Sequence, residues 1–197
     1  IGIEVEETVT LKLGDEVTYQ EEPFYIIGGD TVGTEISNST QDILLLAKYN
    51  LTLDGSSQDT SGASNLCGFS NTAYWSSVEG IAYPDTNGKY PDLNNEAKYG
   101  TGSSVIAKAK AYGASLGVTG RLMTYEEAEA LQTDYSEILY GKNTENGKLD
   151  YWLGSAYSKD FVWCVYGGNS ALDFESCNIH NLCGVRPVIK VSKSLVK

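Results

Sequence analysis

Basic residues, histidine, methionine and proline are all scarce in this sequence. Fourteen Lys and Arg face 26 Asp and Glu over 197 residues, for a net charge of −12. Nucleic-acid binders neutralise phosphates with a basic face, so this balance excludes nucleic acid as a partner. The same deficit argues against an anionic membrane surface. No stretch approaches the ~20 apolar residues of a membrane-spanning helix, so membrane insertion is not expected. One histidine and four cysteines leave few sets of metal ligands or nucleophiles to consider. The first residues, Ile1-Gly2-Ile3, lack an initiator Met. A removed signal or anchor segment would leave such a start, as would a boundary within a longer chain.

Aromatic residues, by contrast, are plentiful: 14 Tyr and three Trp, set among many Ser, Asn and Gly. Surfaces that bind through rigid amphipathic rings and adaptable polar groups have this composition. Extracellular β-rich scaffolds have it too, so composition alone raises binding only modestly. A single Met and few Lys suit an extracellular or cell-surface protein better than a cytosolic one. The length fits one domain with its own core.

Pattern divides the chain into four stretches without an internal repeat. Residues 1–53 read as a β-meander. Within it "IEVEETVTLKL" (3–13) alternates apolar and polar, "GDEVTYQ" gives a turn and a second strand, and "PFYIIGGD" and "DILLLAKYNL" are apolar runs of buried strands. Residues 54–102 are irregular, with Cys67 as an anchor and Tyr74, Trp75, Tyr83, Tyr90 and Tyr99 arguing for order. Two helices fill 103–135. The first spans 104–116, with Ser103 or Ser104 as N-cap and Gly117 as its stop. The second runs from Tyr125 to about Thr133 behind a capping box of Thr124 and Glu127, with Ala128 and Leu131 on its buried side. Residues 150–193 return to strands: "YWLGSAYS", "DFVWCVYGG", "SALDFES" and "CGVRPVIKVS". "FVWCVY" is apolar on both faces and belongs at the centre of a sheet. Leu172 and Phe174 should face inward and Asp173 and Glu175 outward, after a hairpin turn at Gly167-Gly168-Asn169. This order predicts an α+β domain with a loop-rich C-terminal antiparallel sheet.

Three segments carry a resemblance. "GRLMTYEEAEAL" (120–131) is similar to the strand-to-helix segment of the formylglycine-generating-enzyme branch of the C-type-lectin-like fold, with Arg121, Leu122, Thr124 and Ala128 matching and Met123 in place of a proline. "YWLGSA" (151–156) resembles the tryptophan-bearing strand that precedes the recognition loops. "CGVRPVIKV" (183–191) resembles the closing strand, with Val185 where Phe is usual. The match is nearest to lectin-like modules of gut-bacterial surface proteins and to the variable proteins of diversity-generating retroelements, of bacteria or phages. It covers about 104–191 well and the meander weakly.

The resemblance implies that the final sheet and its loops display an adaptable surface for a protein or glycan ligand. The corresponding residues are Tyr157, Ser158, Asp160, Trp163, Tyr166, Asn169, Ser170, Asp173, Glu175, Asn178, His180 and Asn181. A core role for Trp163 and Tyr166 competes with this reading. Cys177, His180 and Cys183 form C-x2-H-x2-C, but a fourth zinc ligand would have to be Cys67 or Cys164. In an exported protein these four cysteines are disulfide candidates, and the Cys177–Cys183 segment is expected to be a loop pinned to itself or to Cys164, with His180 at its tip. Asp92, Asn94, Asn95 and Glu96 offer oxygen ligands for calcium, although that stretch reads equally as a turn. No cofactor is therefore expected. A thiol- or metal-dependent enzyme of the formylglycine-generating type is the alternative, although the cysteine spacing and flanking residues differ from that pattern. A structural spacer of a larger surface protein is the third reading.

Overall fold

The computed structural model describes residues 10–141, 149–179 and 182–197. Most of the expected first strand (3–13) lies outside them. The described part, from Thr10, is not strand, because the chain turns at Gly14 (φ +94°) with the Lys12 N–H on the Asp15 carboxylate. The apolar segments that follow pair as expected: β1 (Glu16–Tyr19), β2 (Glu22–Gly28) and β3 (Asp42–Ala47), all antiparallel. Gln20 and Glu21 close the first hairpin with φ of 48° and 68°. Positive φ at both central residues matches the twist of the flanking strands.

The main departure from expectation is the fate of the last strand. β8 (Val188–Ser192) does not join the neighbouring C-terminal strands but inserts between β3 and the two-residue β4 (Gly120–Arg121), giving the order β1-β2-β3-β8-β4. β5 (Asp150–Ala156), β6 (Phe161–Tyr166) and β7 (Ala171–Ser176) form a separate antiparallel sheet with β6 at its centre. Both faces of the five-stranded sheet are covered, and its continuous apolar runs require that. Phe24, Ile26, Ile43, Leu45, Ile189 and Val191 pack toward helix α2 (Ser104–Ser115) and the Trp75 and Trp152 rings. Tyr25, Ile27, Leu44, Leu46 and Val188 pack on the opposite side toward α3 (Tyr125–Gln132), α4 (Ser136–Leu139) and the face of β5–β6 that carries Tyr151 and Val165. β8 buries Ile189 and Val191 on one face and Val188 on the other, where Lys190 is exposed, so it suits an interior place in this sheet.

Four helices are present among the described residues: α1 (Glu96–Tyr99), α2 (Ser104–Ser115), α3 (Tyr125–Gln132) and α4 (Ser136–Leu139). Ser103 caps α2 by accepting the Ile106 N–H at 3.1 Å. Helix α3 has its full capping box, with Ala128 and Leu131 buried. Arg121 strengthens it with two hydrogen bonds to the Glu127 carboxylate at 2.7 Å each. Helix α2 presses on β4 so closely that a Cβ on Gly120 would lie 2.0 Å from the Ala109 carbonyl. Only glycine fits there.

The long stretch 54–102 is held by polar anchors as well as by its rings. Gln58, 5% exposed, donates to the Pro23 carbonyl and to the Tyr112 hydroxyl. Asn94 spans Leu122, accepting its N–H and donating to its carbonyl. Phe69, Trp75 and Leu93 are fully buried. One charge is sunk beneath all of this. Arg186 is wholly buried, donating from Nε to Ala47 at 2.7 Å and from Nη1 to Ile138 and Leu139 at 2.8 and 3.1 Å. The last two are carbonyls at the C-terminal end of α4, where Leu139 also accepts from the Tyr151 hydroxyl at 2.6 Å and Ile138 from the Gly141 N–H at 3.3 Å. Its guanidinium lies 5.0 Å from the centre of the Tyr151 ring.

Candidate functional site

Period-two alternation gives the β5–β7 sheet two unlike faces. In the β6–β7 register Trp163 stands opposite Phe174, Val165 opposite Leu172 and Phe161 opposite Ser176. This face is aromatic and continues beyond the sheet. Tyr157, from the β5–β6 turn, stacks on Phe174 with ring centres 3.7 Å apart and planes 3° from parallel. Tyr90, from the long irregular stretch, and Tyr125, at the start of α3, close on Trp163 at 5.1 and 4.2 Å. Phe161 is 38% exposed and Phe174 half-buried, whereas Trp163 is 9% exposed and anchors the group. The Trp163 Nε1–H is buried and has no polar acceptor among the described residues. Carboxylates rim the patch: Glu126 accepts the Tyr90 N–H at 2.7 Å and Glu129 accepts from the Tyr125 hydroxyl. Burial, reinforced by these carboxylates, raises both phenols.

The opposite face of β7 carries Asp173, exposed as expected, and Glu175, which is half-buried on the side where β6 buries Val162 and Cys164. Glu175 accepts a hydrogen bond from the Tyr166 hydroxyl at 2.8 Å. Burial and this carboxylate raise the Tyr166 phenol. Asp173 turns its carboxylate onto the Phe174 N–H at 2.8 Å.

The twelve residues expected on the surface therefore do not form one site. Tyr157 and Trp163 share the aromatic face, with Trp163 mainly core. Tyr166, Asp173 and Glu175 lie on the other face. Ser158 and Asp160 sit in the β5–β6 turn, half-buried and exposed, and their backbone carbonyls accept from Trp75 Nε1 and the Cys177 N–H. Asn178 is exposed just after β7, near that end of the sheet. Asn169 and Ser170 are exposed at the far hairpin, where Ser170 has φ 51°. His180 and Asn181 lie outside the described residues. Tyr90, Tyr125, Phe161 and Phe174 complete the patch and were not among the expected twelve. The pairs Phe161-x-Trp163 and Leu172-x-Phe174 signal a shared face by spacing alone, but nothing in the sequence ties Tyr90 or Tyr125 to it.

Among the cysteines the fold brings Cys183, not Cys177, to Cys164, one of the two expected partners of the loop. All four are free thiols, so no disulfide pins the 177–183 loop. Their placement explains why Cys177 and Cys183 do not meet. The Cys177 carbonyl accepts from the Ser70 N–H, while Cys183 pairs through its backbone with Cys67 and brings its thiol against Cys164. That contact and burial raise the Cys183 thiol, and burial raises those of Cys67 and Cys177. Among the described residues no three His, Cys, Asp or Glu gather into a metal-binding group. The oxygen donors of the 92–96 stretch are engaged internally. Asp92 accepts from the Asn94 amide, Asn95 caps α1, and Glu96 pairs with Lys110.

Among the described residues no helix is long and apolar enough to cross a membrane. No family model, curated protein or solved structure matches this chain.

Proposed function

We propose that the chain is a non-enzymatic recognition domain, exported or surface-displayed, that binds a protein or glycan ligand through the aromatic face of its β5–β7 sheet. The single observation carrying this reading is the half-exposed group of Tyr90, Tyr125, Tyr157, Phe161 and Phe174 seated on Trp163. Rings braced by one another lose little freedom when a ligand covers them, which favours binding. The scaffold is proposed to be C-type-lectin-like. In support, Arg121 lies in a short strand running into a Thr124-capped helix, "YWLGSA" lies within β5, and the "GVRPVIKV" segment ends the fold in β8. The enzymatic alternative is weaker because a catalytic thiol needs a depressed pKa and access to solvent. Cys67, Cys177 and Cys183 are instead raised, and the last two are fully buried.

The test is binding of a panel of purified glycans and surface proteins to the intact chain, repeated with the double variant Tyr157→Ala/Phe174→Ala. A control variant, Asn169→Ala/Ser170→Ala, alters the far hairpin. Loss of a captured ligand with the first pair and retention with the second supports the assignment. The reverse pattern, or a thiol-dependent turnover abolished by alkylation, overturns it.

A further inference from the structure

The recognition sheet is open on one side. β7 ends the order β5-β6-β7, and among the described residues no strand lies beyond it. Its Phe174 N–H is accepted by the Asp173 side chain instead of a neighbouring strand. Such a row of unpaired main-chain groups is a template for another chain. The two faces of this edge differ in chemistry. Leu172 and Phe174, with Phe161 beside them, are apolar, while Asp173 and Glu175 on the other side are carboxylates.

We propose that β7 docks an extended basic peptide segment as a fourth strand, with apolar residues over Leu172 and Phe174 alternating with Lys or Arg over Asp173 and Glu175. This inference rests on the recognition reading above and names the class of its partner. Main-chain hydrogen bonds would supply affinity and the side-chain alternation specificity, as in other strand additions. Charge decides the occupant. A second copy of this chain pairing edge to edge would set Asp173 and Glu175 against the same carboxylates, and like charges directly opposite are destabilising. A basic strand replaces that repulsion with attraction and frees the Asp173 carboxylate from the Phe174 N–H to meet a cation. With 26 acidic against 14 basic residues the rest of the chain attracts the same partner.

The experiment uses the intact chain and a seven-residue, end-blocked peptide of alternating valine and lysine. The same peptide with glutamate for lysine, and one with the valines and lysines in two blocks, serve as controls. Binding is followed by fluorescence titration and by hydrogen exchange of the Leu172, Phe174 and Ser176 amides. The alternating basic peptide should bind and slow exchange at those amides. The glutamate peptide should not bind, and Asp173→Asn/Glu175→Gln should weaken binding roughly tenfold. Glu175→Gln keeps an acceptor for Tyr166, and far-UV circular dichroism checks the fold of the double variant. Undiminished binding to that variant, equal binding of the block peptide, or binding without slowed exchange overturns the proposal. So does failure of the alternating peptide to bind. If the Tyr157→Ala/Phe174→Ala pair still abolishes capture of a panel ligand, only the strand-addition inference falls. If it does not, the recognition reading falls with it.

Discussion

The two sheets of this molecule treat their edges in opposite ways. In the five-stranded sheet β1 is closed by the C-terminus, Thr18 and Lys197 exchanging backbone hydrogen bonds at 2.8 and 3.1 Å. At its other edge β4 is two residues long and jammed beneath α2. The three-stranded sheet buries β5, whereas β7 is left half-exposed with one aspartate guarding its outer amide. An edge that serves only the fold is closed by chain or by packing. One guarded by a single side chain stays available for recognition, because a partner needs only to displace that side chain.

Arg186 gives the largest test of this contrast, since it fastens β3 and α4 together behind the Tyr151 ring. Arg186→Met would leave the Ala47, Ile138 and Leu139 carbonyls without its N–H groups. Each hydrogen bond from a charged donor contributes about 1.5–3 kcal/mol, while Leu139 keeps the Tyr151 hydroxyl and Ile138 the Gly141 N–H. A loss of about 3–5 kcal/mol is expected, read from the urea midpoint. Phe174→Ala on the half-exposed edge should cost only about 1 kcal/mol in the same assay. Equal losses would break the distinction between a structural and a presented region.

Tyr151, on the buried strand of the three-stranded sheet, should give the next largest effect. Burial pushes its phenol up to about 12, with Arg186 acting in the opposite direction. An unfolded tyrosine titrates near ~10, so above that pH the native state holds a proton that the unfolded state has lost. Its contribution is therefore complete below about pH 10 and lost as pH rises toward 12, by about 1.4 kcal/mol per unit. Urea unfolding between pH 9 and 11.5 should show a shallower decline in Tyr151→Phe than in the parent. Identical slopes would place that phenol in solvent.

Capping should matter less. Thr124→Ala removes the side chain that accepts the Glu127 N–H and should cost about 1 kcal/mol, measured by thermal unfolding. Tyr125 follows that cap immediately, so a frayed α3 would also loosen the aromatic face. Loss of stability without any change in the near-UV signal of the aromatic cluster would uncouple the two.

How much of this was legible beforehand varied with the kind of signal. The caps of α2 and α3 were readable because each depends on residues within one turn of each other. β2, β3 and β6 were readable because strands buried on both faces must be apolar throughout. The destination of β8 was not, since buried Val188, Ile189 and Val191 would suit the interior of either sheet. Helix α4 was hidden because Tyr135 at its N-cap makes no side-chain capping bond. Disulfides were expected from cysteine number and compartment, but the pairing depends on which thiols the fold brings together. It sets Cys183 against Cys164 and leaves Cys177 near Ser70. The aromatic face was half legible: its sheet residues follow from alternation, while Tyr90 and Tyr125 arrive through tertiary folding alone.

The smallest expected change in stability tests the edge most sharply. Asp173 is exposed and makes no ion pair among the described residues, so Asp173→Val should alter stability by no more than about 0.5 kcal/mol. Its effect on association should be far larger. Valine removes both the acceptor on the Phe174 N–H and the charge facing any incoming strand, leaving an apolar, β-branched edge beside exposed rings. Edge-to-edge pairing of two copies then loses its repulsion, and sedimentation velocity should show a dimer for the variant and a monomer for the parent. Asp173→Lys removes the same acceptor but restores a like charge on each copy, so it should stay monomeric. A dimer from both variants would mean that the hydrogen bond, not the charge, guards β7. A monomer from both would mean that the edge is closed by something other than Asp173, and the contrast between the two sheets would fail.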